Sequence, residues 1–180
     1  MCTAAAAFRR EHGERPAVGA ATLAEAPEMT DAQNHAISSF GAQFAEARVN
    51  RYTGEVRVSR MLGVFSVGRV INPITLRSQL IGGMTMGLSM ALHEESVRDH
   101  RFGHVVTQDF AGYHIACHAD VPAVEAHWLD SVDSILNPMG CRGAGEIGIV
   151  GAAAAVANAI HHATGVRVRD LPITCDALLR

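Results

Sequence analysis

Two stretches of this chain carry small residues at the spacing of a single helix face, and that feature constrains the fold most. Between Ile74 and Glu95 the apolar residues Leu76, Leu80, Ile81, Met84, Leu88 and Leu92 recur with helical period, while Gly83, Gly87 and Ala91 fall every fourth position. A second helix is expected from about Ile147 to Ala163, with Gly148, Ala152, Ala155 and Ala159 forming another smooth stripe. Each helical glycine loses about 1 kcal/mol of intrinsic helix stability against alanine. Such helices need neighbours packed on them, and the smooth stripes let another backbone come close. Asn72-Pro73 marks the start of the first helix, and Thr164-Gly165 ends the second.

The remaining elements read as short strands. Phe40 to Asn50 and Glu55 to Phe65 are β-prone runs flanking Arg51-Tyr52-Thr53-Gly54, where Gly54 can supply the positive φ of a tight connection, so an antiparallel hairpin is expected. Further strands are expected at His104 to Thr107, Val124 to Leu129 and Val166 to Arg169, with Asp133 to Gly145 turn-rich between them. The fold class is α+β, a β-hairpin and short strands packed with two main helices. Residues 1–33, Ala-rich with Gly13, Pro16, Gly19 and Pro27, read as a linker, tail or edge, and 34–180 as the folded part.

Composition excludes several functions. With 15 Lys+Arg against 18 Asp+Glu in 180 residues, the chain lacks the basic stripe that nucleic-acid binding requires. The apolar run Ile147 to Ile160 falls short of the roughly 20 residues of a bilayer crossing. Phe8-Arg9-Arg10-Glu11-His12 is followed by no apolar segment, so no export signal is read, and the expectation is a cytoplasmic protein unless a partner carries it out. Cys2, Cys117, Cys141 and Cys175 form no CxxC pair; reduced, mostly buried thiols are expected rather than a zinc ribbon or an iron-sulfur cluster. His114 and His118 stand four apart without the acid of an HExxH motif, so no metal site is assigned to them.

The densest glycine cluster, Gly140-Cys141-Arg142-Gly143-Ala144-Gly145-Glu146-Ile147-Gly148, contains GxGxxG at Gly143, Gly145 and Gly148. A dinucleotide-binding turn must follow a strand directly, and Pro138 interrupts any strand before this one. The ionisable residue in the cluster admits two readings. Glu146 at a helix start can simply stabilise the helix dipole, or it can serve as a general base whose affinity for protons is set by the dipole against burial.

Asn137-Pro138-Met139-Gly140-Cys141-Arg142-Gly143-Ala144-Gly145-Glu146-Ile147-Gly148 resembles the C-terminal catalytic loop of the molybdenum-binding subunit of the xanthine dehydrogenase/aldehyde oxidase family, closest to bacterial periplasmic-type aldehyde oxidoreductases. Ser39 to Glu46, Gly68 to Pro73, Arg77 to Met84 and Val166 to Thr174 resemble further segments of that subunit, in the same order. The resemblance spans about Glu28 to Arg180 and implies the C-terminal part of a molybdopterin-binding domain. It implies that Glu146 is the catalytic base in the oxidation of aldehydes to carboxylic acids with water as oxygen source. It also implies that Gln79, Arg142, Gly143, Ala144 and Gly145 contact a molybdenum cofactor of the molybdopterin cytosine dinucleotide type.

By the same resemblance, electrons pass to [2Fe-2S] and FAD centres on partner subunits. Two departures stand out. Relatives often have lysine at the position of Arg142, and the family subunit is several times longer than this chain. Remaining large-subunit segments must therefore complete the site, and the chain alone is expected to be inactive. The alternative is a non-catalytic packing or interaction module that keeps the fold.

Overall fold

The structure is a computed structural model and describes residues 35, 36 and 38–179. The linker expected over residues 1–33 lies outside the described residues. Strands β1 (Phe40–Val49) and β2 (Val56–Ser66) form the expected antiparallel hairpin, paired from Phe40 opposite Ser66 to Val49 opposite Val56, with an irregularity between Glu46 and Ala47. Asn50 builds the connection: its side-chain oxygen accepts from the N–H of Tyr52 and Thr53, and its carbonyl accepts from Gly54. Gly54 sits at φ 71°, and a Cβ there would lie 2.4 Å from the carbonyl oxygen of Cys175. Both backbone conformation and close approach therefore demand glycine at this turn.

Helix α1 (Pro73–Leu92) follows. The Asn72 side chain caps it by accepting from the N–H of Ile74 and Thr75, satisfying two of the donors a helix start leaves free, and Pro73 occupies the first turn, where its missing N–H costs nothing. The chain then crosses over to β3 (Ala123–Trp128), which pairs parallel to β2 from Arg60 beside Ala123 to Phe65 beside Trp128. A parallel neighbour needs such a long return, and α1 is part of it. The three-stranded sheet has the order β1-β2-β3, with α1 packed on β2 and β3. Met61 and Phe65 of β2, Leu80, Met84 and Leu88 of α1, and Ala126 of β3 are core residues, joined by Val156 and Ile160 from the last long helix.

The alanine-rich helix, expected as one piece, is two. Residues Ile147–Val150 form the single turn α2, and Ala152–Thr164 form α3, which packs across β1 and α1. The break is at Gly151, whose N–H turns to the carbonyl of Ile149. Gly165, at φ 77°, closes α3 by donating to the carbonyl of His161. Residues Ile147–Thr164 reach the length and mean hydropathy, 1.3, of a membrane span. Here the pieces bury Gly148, Ala152, Val156 and Ile160 against the core.

The small-residue stripes of α1 and α2–α3 meet. A Cβ on Gly83 would lie 2.8 Å from the backbone of Gly148 and Ile149, one on Gly87 would lie 2.4 Å from the Cβ of Ala152, and one on Gly148 would lie 2.7 Å from the carbonyl oxygen of Leu80. A short helix α4 (Cys175–Leu178) closes the chain, anchored where the N–H of Ile173 donates to the carbonyl of Ala91.

Three further expectations fail. His104 to Thr107 forms no strand; Val105 makes one isolated bridge with Arg98, too little pairing to extend. Val166 to Arg169 is irregular, because the N–H of Val166 is taken by the Thr164 hydroxyl while Val166 and Val168 pack on the core. Among the described residues the thiols are not mostly buried: Cys117 and Cys175 are exposed and Cys141 half-buried, all three reduced, while Cys2 lies outside the described residues.

Candidate active site

A folded turn ahead of the glycine loop fixes where that loop begins. The Asp133 side chain accepts from the N–H of Ile135 and Leu136, its own N–H donates to the carbonyl of Gly140, and the Asn137 amide donates to the carbonyl of Cys141. The N–H groups of Leu136 and Ile135 hold the Asp133 carboxyl below the usual aspartate range, with smaller help from Arg142 and His35, against the opposing effect of burial. The turn is tied to the end of β2 by Arg69 donating to Gly140 and Arg142 donating to Val67, through their backbones.

The side chain of Arg142 points back into the fold. Its guanidinium donates to the carbonyl of Ser38 at 3.0 Å and to the hydroxyl of buried Ser66, lies 3.7 Å from the Asp133 carboxylate, and stands 5.7 Å from the centre of the Phe40 ring. Next, the Ser39 hydroxyl donates to the carbonyl of Gly143 at 2.6 Å, and the Gln43 amide donates to the carbonyls of Ile147 and Gly148. Ser38 with Arg142, Ser39 with Gly143 and Gln43 with Ile147 are each separated by 104 residues. Residues 142–148 thus run beside β1 in its own direction, held by side chains in place of a backbone ladder.

Between this loop, β1 and α3 lies an open cleft of about 740 Å³, lined among others by Phe40, Gln43, Gly143, Gly145, Glu146 and Val150. Glu146 is exposed, immediately precedes α2 and makes no side-chain capping bond. The burial that would set against the dipole is not supplied by the described residues. Of the expected site residues, Gly143, Ala144, Gly145 and Glu146 line the cleft together. Gln79, exposed on α1, reaches the same loop without lining the cleft; its amide nitrogen is 3.9 Å from where a Cβ of Gly145 would lie. Arg142 does not line the cleft and anchors the loop instead.

Gly143 and Gly145 differ from the other glycines of the cluster. A Cβ on Gly143 would meet nothing within 4 Å, one on Gly145 would meet only the Gln79 amide, and neither residue has a positive φ. Neither internal packing nor backbone conformation calls for glycine at these two positions, so bare backbone there leaves room for something outside the described residues. The dinucleotide-binding reading of GxGxxG fails, because residues 134–139 form turns and not a strand. Among the described residues, no group of three His, Cys, Asp or Glu side chains is placed to hold a metal ion.

Sequence reasoning passed over Ser39, Gln43, Ser66 and Asp133. For Gln43 a signal existed: it falls in the inward phase of β1 with Ala45, Ala47 and Val49, and a polar side chain there needs partners.

Comparison with known proteins bears on the cleft. Residues 2–122 match the family described as molybdopterin cofactor-binding domain. The chain is 49% identical over 167 residues to the aldehyde oxidoreductase molybdenum-binding subunit PaoC of Escherichia coli, covering 92% of this chain and 23% of that protein. It is 35% identical over 157 residues to the 6-hydroxypseudooxynicotine dehydrogenase complex subunit gamma of Paenarthrobacter nicotinovorans, covering 86% of this chain and 19% of that one. In structure it resembles the aldehyde oxidoreductase of Desulfovibrio desulfuricans, with a TM-score of 0.71 and 27% identity over 78% of this chain and 15% of that chain. The chain therefore spans less than a quarter of each of these proteins.

Proposed function

The chain belongs to the molybdopterin cofactor-binding domain family, and from that membership we propose that it forms the C-terminal portion of a molybdenum hydroxylase subunit that oxidises aldehydes to carboxylic acids. The observation that carries the reading is the pairing of an exposed carboxylate, Glu146, with two glycines whose backbone faces the cleft for no internal reason. Identity of 49% to an aldehyde oxidoreductase subunit supports the aldehyde as substrate class.

The donor set fits a flat, polar heterocyclic cofactor. Gly143 and Gly145 let a bulky group approach their peptide planes, and the Gln79 amide offers both donors and an acceptor beside the same loop. Bound there, a molybdenum cofactor of the cytosine dinucleotide type supplies the two-electron oxidant. The overall reaction takes an aldehyde and water to a carboxylic acid, releasing two electrons and two protons. Within it, Glu146 accepts at its carboxylate the proton released as the water-derived oxygen attacks the aldehyde carbon. It stands immediately before α2 among the residues that line the cleft. Arg142 serves the site through its hold on Ser38 and Ser66, which keeps the loop against β1. Electrons leave through [2Fe-2S] and FAD centres on partner subunits. Because the chain spans less than a quarter of its relatives, the rest of the subunit completes the pocket, and the chain alone is inactive.

The test is Glu146→Gln in the complete, assembled enzyme. Turnover of an aromatic aldehyde with a dye acceptor should fall by roughly 10²- to 10⁴-fold at unchanged molybdenum content. Full activity in that variant would remove the catalytic assignment and leave a packing module.

A further inference from the structure

We infer that Gln43 is a positioning residue for Glu146, holding in place the broken helix start on which that carboxylate stands. The inference rests on the reading of Glu146 as the base and extends it to a residue on another element. In an unbroken helix the carbonyls of Ile147 and Gly148 would receive the N–H groups of Gly151 and Ala152. At the break the N–H of Gly151 turns to Ile149, and the Gln43 amide donates instead to Ile147 at 3.2 Å and to Gly148 at 3.1 Å.

Both carbonyls belong to the two residues immediately after Glu146, so a single side chain of β1 sets the height and direction of the turn that begins there. Gln43 packs directly against the break: a Cβ on Gly151 would lie 3.4 Å from the Gln43 side-chain carbon, an ordinary contact. The arrangement is chosen at a cost. The Gln43 side-chain oxygen is buried and has no hydrogen-bond partner among the described residues. Reversing the amide would relieve that atom only by setting an acceptor against two carbonyl oxygens. Two donors aimed at α2 outweigh one unmet acceptor. A residue with the same length and no donor, such as methionine, could fill the space but not perform the task.

The first measurement is residue-resolved amide hydrogen exchange in the full chain carrying Gln43→Met. Exchange across Ile147 to Gly151 should quicken by about tenfold, the loss of two modest hydrogen bonds, while the centre of α1 keeps its protection. Unchanged exchange over these residues overturns the inference. Gln43→Glu guards against a variant that misfolds for want of volume. Its ionised carboxylate faces two carbonyl oxygens at neutral pH, and on acidification through the carboxylate range it recovers one donor. The excess exchange over the parent at each pH should therefore shrink as pH falls, whereas a purely space-filling role predicts an excess indifferent to pH.

In the assembled enzyme, Gln43→Met should lower kcat by about tenfold with KM and molybdenum content unchanged. Retained kcat beside an inactive Glu146→Gln variant would refute the positioning role. An active Glu146→Gln variant would instead refute the base and leave the exchange result standing.

Discussion

Two glycine-bearing regions of this molecule look alike in sequence and differ in what the missing side chain makes room for. In the seam between α1 and α2–α3, the space beside Gly83, Gly87 and Gly148 is filled by the chain itself, by backbone atoms and by the Cβ of Ala152. In the loop ahead of α2, the space beside Gly143 and Gly145 is open to the cleft. The lesson is that glycine spacing does not distinguish a packing device from a binding one. Where an added methyl group would go does distinguish the two regions: into protein in the first, and into the open cleft in the second.

The contrast can be broken by substitution. Gly148→Ala should be the most damaging change, because its methyl would press on the backbone of Leu80, which cannot rotate away. A loss of about 3 kcal/mol in urea unfolding is expected. A loss below about 0.5 kcal/mol would show that the seam is not closely packed.

Arg142→Lys should cost about 1.5 kcal/mol, since an ammonium cannot span the Ser38 carbonyl and the Ser66 hydroxyl as the planar fork does. Equal stability of the two would mean that the loop is held by its backbone bonds alone. Gly143→Ala should leave the stability of the chain within about 0.5 kcal/mol while lowering the molybdenum cofactor content of the complete enzyme. Destabilisation on the scale of Gly148→Ala would erase the difference between the two regions.

The smallest effect concerns pH. The folded state holds the Asp133 carboxyl below its usual range, so its contribution to stability is fully present above the ordinary aspartate value and is lost as pH falls through the lowered one. Acid unfolding of the parent should show this slope, and Asp133→Asn should flatten it.

Much of the fold could be read from residue order. Gly54 behind Tyr52 announced the hairpin, the spacing of Leu76, Leu80, Met84 and Leu88 announced α1, and the run Val124 to Leu129 announced β3 to within a residue at each end. These signals are local, carried by turn chemistry and periodicity. What was missed depends on distant partners. Gly151 weakens the alanine-rich segment locally, but nothing in that segment reveals that Gln43 arrives from β1 at the break. Val166 to Arg169 has strand-like composition, but nothing in its own residues reveals that Thr164 takes the first N–H.

The sequence singled out the glycine cluster and Glu146, and the fold brings Gly143, Gly145 and Glu146 to one cleft. The orientation of Arg142 was not legible, since its partners Ser38, Ser66 and Asp133 come from three separate parts of the chain.

The uniform separation of 104 residues between β1 and its side-chain partners in the loop has a consequence for synthesis. At roughly 5–20 residues per second, the outer margin of β1 emerges from the ribosome roughly 5–20 s before the segment that shields it. During that interval the nascent strand margin stands without the loop that runs beside it, a template for pairing with other chains. Chaperone demand during translation should therefore peak in this window and fall once residue 148 has cleared the exit tunnel.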